Sequence, residues 1–262
     1  MTLTTAISQH SADGVTVRGF DLTRDLVGNR SFSEMLYLLL CGRLPSQAET
    51  SVLDACLVTL MEAGINASTL VARVTAGAQP AVPSVAIAAG LLTVGDKYAG
   101  SAQACGDILA AAVSDEPDSD TYLRNVVRAH RERRSAVPGF GHGSHATSDP
   151  RAVRLLELAA LVGTSGPHEE ALRRLSAVLD EEVGRHIVGN VTGAMAAVLL
   201  DAGLPRGSLA GIAAVARSGG LAAHVLEEAR TPTSDRTWQA ARDAIAYVPP
   251  RATEERSAAS HE

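Results

Sequence analysis

Val137-Pro138-Gly139-Phe140-Gly141-His142-Gly143-Ser144-His145 cannot be regular structure: three glycines and a proline fall within nine residues, and that density marks a loop. Asp149-Pro150 follows, in the form of a helix N-cap with proline at the first helical position. The helix it opens carries Val153, Leu155, Leu156, Leu158 and Ala159. The loop therefore hangs His142 and His145 just ahead of a helix that begins with Arg151. Glycine lets a backbone approach a ligand closely, which makes Gly139 and Gly141 candidate contacts as well.

Outward from this loop the chain reads as helix nearly everywhere. Strand signals are few, with one short β-like stretch at 16–20. Ser31 and Glu34 form a capping-box pattern ahead of Met35-Leu36-Tyr37-Leu38-Leu39-Leu40, a segment apolar enough to be central, which ends at Gly42. Ser46 and Glu49 repeat the pattern ahead of a helix with Val52, Ala55, Cys56, Thr59 and Leu60 on one face, stopped by Gly64. Residues 82–94 are short of charge and apolar on almost every side, so they read as a buried helix at a subunit interface. The stretch from Ser114 to Asp118 is a break. Residues 122–133 then form a charged helix with a basic end between Arg128 and Arg134. Further helices are expected at 168–187, 193–202, 208–216, 221–229 and 238–246, with Gly219-Gly220 interrupting the third and fourth of these. The tail from Pro249 is polar. The fold class is all-α.

Composition narrows the function. At 262 residues and 46% hydrophobic the chain can bury a sizeable core. Its net charge of −6 lacks the basic footprint of a nucleic-acid binder and of a protein held on an anionic membrane. No apolar run approaches the ~18 residues of a membrane span. Residues 1–14 lack the basic and apolar regions of a signal peptide. Cys41, Cys56 and Cys105 sit in apolar helical patterns without close spacing, so neither a disulfide framework nor a zinc site is expected. They read as buried, reduced thiols in a cytoplasmic protein. Only 3% of residues are aromatic, so the core is Ala, Leu and Val, which suits closely packed helices.

The loop and its following helix resemble the PGFGH…DPR signature of citrate synthases. Arg18-Gly19-Phe20-Asp21-Leu22 and residues 34–45 look like the N-terminal segment of that family, and residues 88–100 are similar to the GLLTIGDRFGG stretch of the citryl-CoA-lyase module of ATP-citrate lyase. Asn190-Val191-Thr192-Gly193, Ala216-Arg217-Ser218 and Arg230-Thr231-Pro232 fall in the expected order. The resemblance spans about residues 15–250 and points to the short citryl-CoA-lyase-like branch. It implies a large helical domain, 1–149 and 221–262, with a smaller inserted helical domain at 150–220 that closes over substrate. It also implies an obligate homodimer, a coenzyme A thioester as co-substrate, and a small polycarboxylate or 2-oxo acid as the other ligand.

Such chemistry needs arginines for carboxylates, because the guanidinium fork fits them bidentately and keeps its charge. It also needs a donor at the reacting carbonyl and a base for the proton alpha to the thioester. The resemblance places Arg151 and Arg217 on the substrate carboxylates, joined by Arg230 from the neighbouring subunit and by His145. His142 matches the histidine at the reacting carbonyl. The base departs from the pattern: the aspartate of the NVD motif is Thr192 here, whose hydroxyl is no base near neutral pH without an activating partner. The Asp-His-Gly motif reads Glu62-Ala63-Gly64, so that histidine is absent and Glu62 is the first candidate to replace the lost function. Tyr98, where citrate synthases carry a histidine, fits the lyase branch. Ala146 stands where a basic residue often follows, which weakens the expected hold on coenzyme A phosphates. Two functions follow: a carbon–carbon lyase or acyl-CoA transferase with a departed site, or a non-catalytic polycarboxylate- or acyl-CoA-binding paralogue.

Overall fold

The computed structural model describes residues 3–12, 14–95, 101–114, 119–141, 143 and 147–248. His142, His145, Tyr98, Ala146, most of the break after Ser114 and the tail from Pro249 lie outside the described residues. A small antiparallel sheet opens the chain: β1 (Ser8–Ser11), β2 (Gly14–Val17) and β3 (Phe20–Asp21), followed by a single π turn at Leu22–Leu26. Among the described residues, every regular element after it is helical.

Local chemistry starts the helices where the sequence places them. Ser31 and Glu34 form a complete capping box on α1 (Phe32–Cys41), which Gly42 ends in the left-handed conformation. Ser46 and Glu49 do the same for α2 (Gln47–Met61). Helix α3 (Ala67–Ala78) is not anticipated by hydrophobic pattern, yet Asn66 and Thr69 cap it reciprocally. Helix α4 (Pro83–Leu91) buries only Ala86 and Gly90. Within one chain Val82, Val85 and Leu92 are exposed, so the chain itself does not supply the burial expected for residues 82–94. Next come α5 (Ser101–Ser114), α6 (Ser119–Glu132) and α7 (Pro150–Val162), the last capped by Asp149 with Pro150 in its first turn. Helix α8 (Pro167–Val183) stops at left-handed Gly184, four residues short of the expected end. Helix α9 (Val191–Asp201) is buried on every side, and α11 (Ser234–Ala244) begins four residues early.

The largest difference is α10 (Leu209–Arg230), which runs unbroken through Gly219 and Gly220. A Cβ at Gly220 would stand 2.0 Å from the Met61 carbonyl oxygen and 2.8 Å from Glu62 Oε2. These glycines are therefore the seat on which the end of α2 rests. The stretch Arg206–Arg230 also has the length and mean hydropathy, 1.4, of a membrane span, which corrects the expectation that no segment does. In this fold it is the axis helix, packed against α2, α3, α4 and α5.

Among the described residues, buried side chains form one main cluster and two satellites. The main cluster joins α2, α5, α6, α7, α8, α9 and the first half of α10, with Leu53, Leu109, Leu123, Leu175 and Leu199 wholly enclosed. Each such leucine contributes about 2 kcal/mol by leaving water. Residues 150–220 thus share a core with residues 37–140. A separate cluster, Ala72, Ala76, Ala86, Leu221 and Val225, ties α3 and α4 to the second half of α10. The third seats the N-terminal sheet on α1 through Val17, Leu26 and Leu38.

Candidate active site

The glycine loop lies on the first turn of α9. Gly139 and Gly141 have φ of +85° and +86°, a region costly for residues with a Cβ. A Cβ at Gly139 would stand 2.6 Å from Cys105 Sγ and 2.9 Å from Gly193 Cα, and one at Gly193 would stand 2.7 Å from the Gly139 oxygen. The two glycines let loop and helix touch. Backbone N–H groups of Asn190 and Gly141 donate to Gly139 O (2.9 Å) and Val188 O (2.7 Å), and Asn190 Nδ2 donates to Gly141 O at 2.9 Å. The Cys105 thiol beneath is pushed up to about 12 by burial, which makes it packing rather than a nucleophile.

Asn190 also caps α9, its Oδ1 accepting from the Thr192 N–H at 3.0 Å and from the Thr192 hydroxyl at 2.7 Å. An amide oxygen only accepts, so the Thr192 proton points at Asn190. Thr192 Oγ1 also lies 2.9 Å from Ser101 Oγ, and with its own proton committed it accepts from Ser101. Thr192 is buried in this hydroxyl chain. A cavity of ≈ 630 Å³ opens beside it, lined by Ser101, Val137, Gly139, Gly141 and Asn190 among others.

The arginines behave differently from one another. Arg151 is paired bidentately with Asp149, Nε to Oδ1 at 3.0 Å and Nη2 to Oδ2 at 2.8 Å. Asp149 also accepts from the Val191 N–H at 3.0 Å, which ties Arg151 to the first turn of α9. Burial would raise the Asp149 carboxyl, but the Arg151 and Val191 donors hold it below the usual carboxylate range. Arg217 is buried, and among the described residues its Nη1 has no hydrogen-bond partner. Burial lowers its pKa; the Glu62 charge acts in the opposite direction, and the Arg151 charge in the same one. A buried guanidinium N–H without a partner costs free energy that an anionic ligand returns.

Glu62 sits where α2 ends against α10. Its Oε1 accepts from the Gly64 N–H at 2.6 Å, and its Oε2 lies 3.1 Å from His224 Nε2. Burial raises this carboxyl, yet the His224, Gly64 and Ala63 donors bring it below its ordinary value. On the other side of the His224 ring, Nδ1 takes the Arg73 Nε–H at 3.0 Å. Arg73 only donates, so His224 is neutral with its proton on Nε2, pointing at Glu62. Arg73 goes on to pair with Glu227 and, at 3.2 Å, with buried Glu228, whose carboxylate caps α11 through Thr233 and Ser234.

Arg151, Thr192, Gly139 and Gly141 are therefore brought together around the start of α9, and Arg217 stands one turn along α10 from Gly220, against which Glu62 packs. Arg230 is not part of this group. It is exposed at the far end of α10, about 20 Å along the helix from Arg217 at the usual rise. Ser101, Asp149, Arg73 and His224 complete the arrangement. Asp149 is legible as a cap. Arg217, Gly220 and His224 share one face by their spacing of three and four, but nothing local marks that face as the site.

This is a predominantly helical protein in which a glycine loop lines a cavity and, among the described residues, a buried arginine keeps one unpartnered nitrogen. The citrate synthase C-terminal domain family matches residues 48–239, and the chain belongs to the citrate synthase family. It is 29% identical to citrate synthase from Haloferax volcanii over 198 residues, 75% of this chain and 51% of that protein. It is 34% identical to 2-methylcitrate synthase from Shewanella oneidensis over 113 residues, 43% of this chain and 29% of that protein. The chain spans about half the length of the citrate synthases it matches most broadly. Among solved structures, citryl-CoA lyase from Hydrogenobacter thermophilus superposes with a TM-score of 0.85 at 30% identity, over 97% of this chain and 98% of that one. ATP citrate lyase from Methanothrix soehngenii, solved with citrate and coenzyme A, gives a TM-score of 0.77 at 19% identity, over 97% of this chain and 42% of that one.

Proposed function

We propose that this protein is a citryl-CoA-lyase-like enzyme that makes or cleaves a carbon–carbon bond between an acyl-CoA and a 2-oxo acid, on a catalytic site that has departed from its relatives. The carrying observation is Arg217: a buried guanidinium with an unpartnered Nη1, electrostatically coupled to Arg151 beside the glycine loop. Such a group is made for a carboxylate. The loop backbone at Gly139 and Gly141 is the surface for the thioester. Arg133 and Arg134, exposed at the end of α6 and close in sequence to cavity-lining Ala136, are the nearest basic residues in sequence for coenzyme A phosphates in the absence of one at 146. Arg230 joins the site of a second copy, and the exposed Val82, Val85 and Leu92 meet that copy.

The second reading, a non-catalytic polycarboxylate binder, is favoured by one observation. The Thr192 hydroxyl, in the place of the expected base, spends its proton on Asn190. Thermal shift with citrate, oxaloacetate and coenzyme A thioesters tests what the two readings share. Citrate at a hundred times its dissociation constant is expected to stabilise by about 2.7 kcal/mol, and Arg217→Ala to abolish the shift. An unchanged shift in that variant places the ligand elsewhere. A stable monomer by light scattering at micromolar concentration sinks the shared site.

A further inference from the structure

We infer that Glu62 is the group that receives the proton of a bound 2-hydroxy acid, with Arg217 holding the adjacent carboxylate, so that the chemistry lost at Thr192 has moved to the end of α2. The inference rests on the carboxylate-binding role of Arg217.

Four observations carry it. Glu62 Oε2 stands 2.8 Å from where a Cβ at Gly220 would be, one helical turn from Arg217 on the same face of α10. Among the described residues Arg217 Nη1 has no partner, so a cation and an anion face the same region without closing an ion pair. A 2-hydroxy acid presents the matching groups on one carbon: a carboxylate for the guanidinium and a hydroxyl donor for the carboxylate. The Glu62 carboxylate takes N–H donors from Gly64, His224 and Ala63, and a carboxylate accepts about four hydrogen bonds, so it keeps acceptor capacity. The side chain is 47% exposed, which leaves it reachable. Finally, the geometry is held from behind. Gly220 admits the end of α2, and Arg73 fixes His224 as a neutral Nε2–H donor. His224 is thus a positioning residue: it orients Glu62 and, with Nδ1 occupied, takes no proton itself.

The cleavage step balances with Glu62 alone. Its carboxylate takes the hydroxyl proton of a 3-hydroxy-3-carboxy thioester. The bond between the carbinol carbon and the thioester α-carbon breaks. Its electron pair passes to the thioester as an enolate, and the carbinol carbon becomes the carbonyl of a 2-oxo acid. Protonated Glu62 then returns the same proton to the enolate carbon. A carboxyl held below its ordinary value is a weak base, so turnover through it is slow.

Two measurements on the full chain test this. Citrate and tricarballylate differ only in the hydroxyl, and calorimetric titration of wild type should favour citrate by about tenfold or more, the usual worth of a hydrogen bond to a charged acceptor. Glu62→Gln should bring the two affinities together while leaving tricarballylate binding nearly unchanged, and Glu62→Asp should recover part of the preference. In a citryl-thioester cleavage assay Glu62→Gln should lower kcat by about 10² or more. His224→Leu removes a donor from Glu62 and should move the acid limb of the pH–rate profile to higher pH with little change in tricarballylate affinity. Equal binding of both ligands by wild type, or a citrate preference that survives in Glu62→Gln, overturns the inference. So does the lack of any thioester cleavage by wild type. Failure of wild type to bind either ligand overturns the Arg217 pocket itself, a distinguishable result because tricarballylate does not depend on Glu62.

Discussion

The two sides of the candidate site are built in opposite ways. At the start of α9, Asn190, Thr192 and Ser101 form a chain of neutral groups in which every proton of Thr192 is spoken for. At the junction of α2 and α10, Arg217 Nη1 has no hydrogen-bond partner among the described residues, while Glu62, His224, Arg73 and Glu228 form a polar network with each member held by another. The first side is where the resemblance places a base, and there the Thr192 hydroxyl donates to Asn190. The second is where it places carboxylate recognition, and it carries the titratable groups. Loss of a base in one place thus need not mean loss of proton chemistry, because a low-dielectric junction a few residues away can host it.

The largest expected effect comes from restoring the first side. Wild type is expected to turn over citryl-CoA poorly. Thr192→Asp with Ala63→His should raise lyase turnover by about 10² or more, the usual worth of one acid or base group. Single changes should do less than the pair. If wild type already turns over rapidly and the pair adds nothing, proton transfer on the charged side is sufficient.

Next in size is the network behind Glu62. Burial pushes the Glu228 carboxyl up, but Thr233 and Ser234 donors and Arg73 outweigh it, leaving it at about 2, below an ordinary value of 4.5. A depressed carboxyl contributes stability that is complete above the unfolded value and lost as pH falls through the folded one. Between about pH 4.5 and pH 2 the protein should therefore lose stability through Glu228. Glu228→Gln should cost about 3 kcal/mol at pH 7 and flatten that part of the pH dependence in urea melts. A wild-type-like acid limb in the variant would show that other carboxylates control it.

The smallest effect is on the neutral side. Asn190→Ala removes the α9 cap and the tie to Gly141, and should cost about 1 kcal/mol in chemical denaturation. A citrate shift unchanged in that variant would separate the loop from ligand binding, whereas a lost shift would join the two sides into one site.

What was legible in the sequence is what is decided within a few residues. Ser31 with Glu34, Ser46 with Glu49 and Asp149 with Pro150 start helices because capping bonds reach only three or four positions. The glycine loop and the motif order were readable for the same reason, and with them the predominantly helical fold. Pairing across the chain was not. Nothing near Arg217 says that it stays unpartnered while Arg151 finds Asp149. Nothing near Gly219-Gly220 tells a helix break from a seat for α2, since the difference lies in the Met61 carbonyl more than 150 positions away. His224 acquires its fixed proton only because folding sets Arg73 on one face and Glu62 on the other. Burial and hydrogen-bond partners depend on which helices come together, and that was decided by the tertiary structure alone.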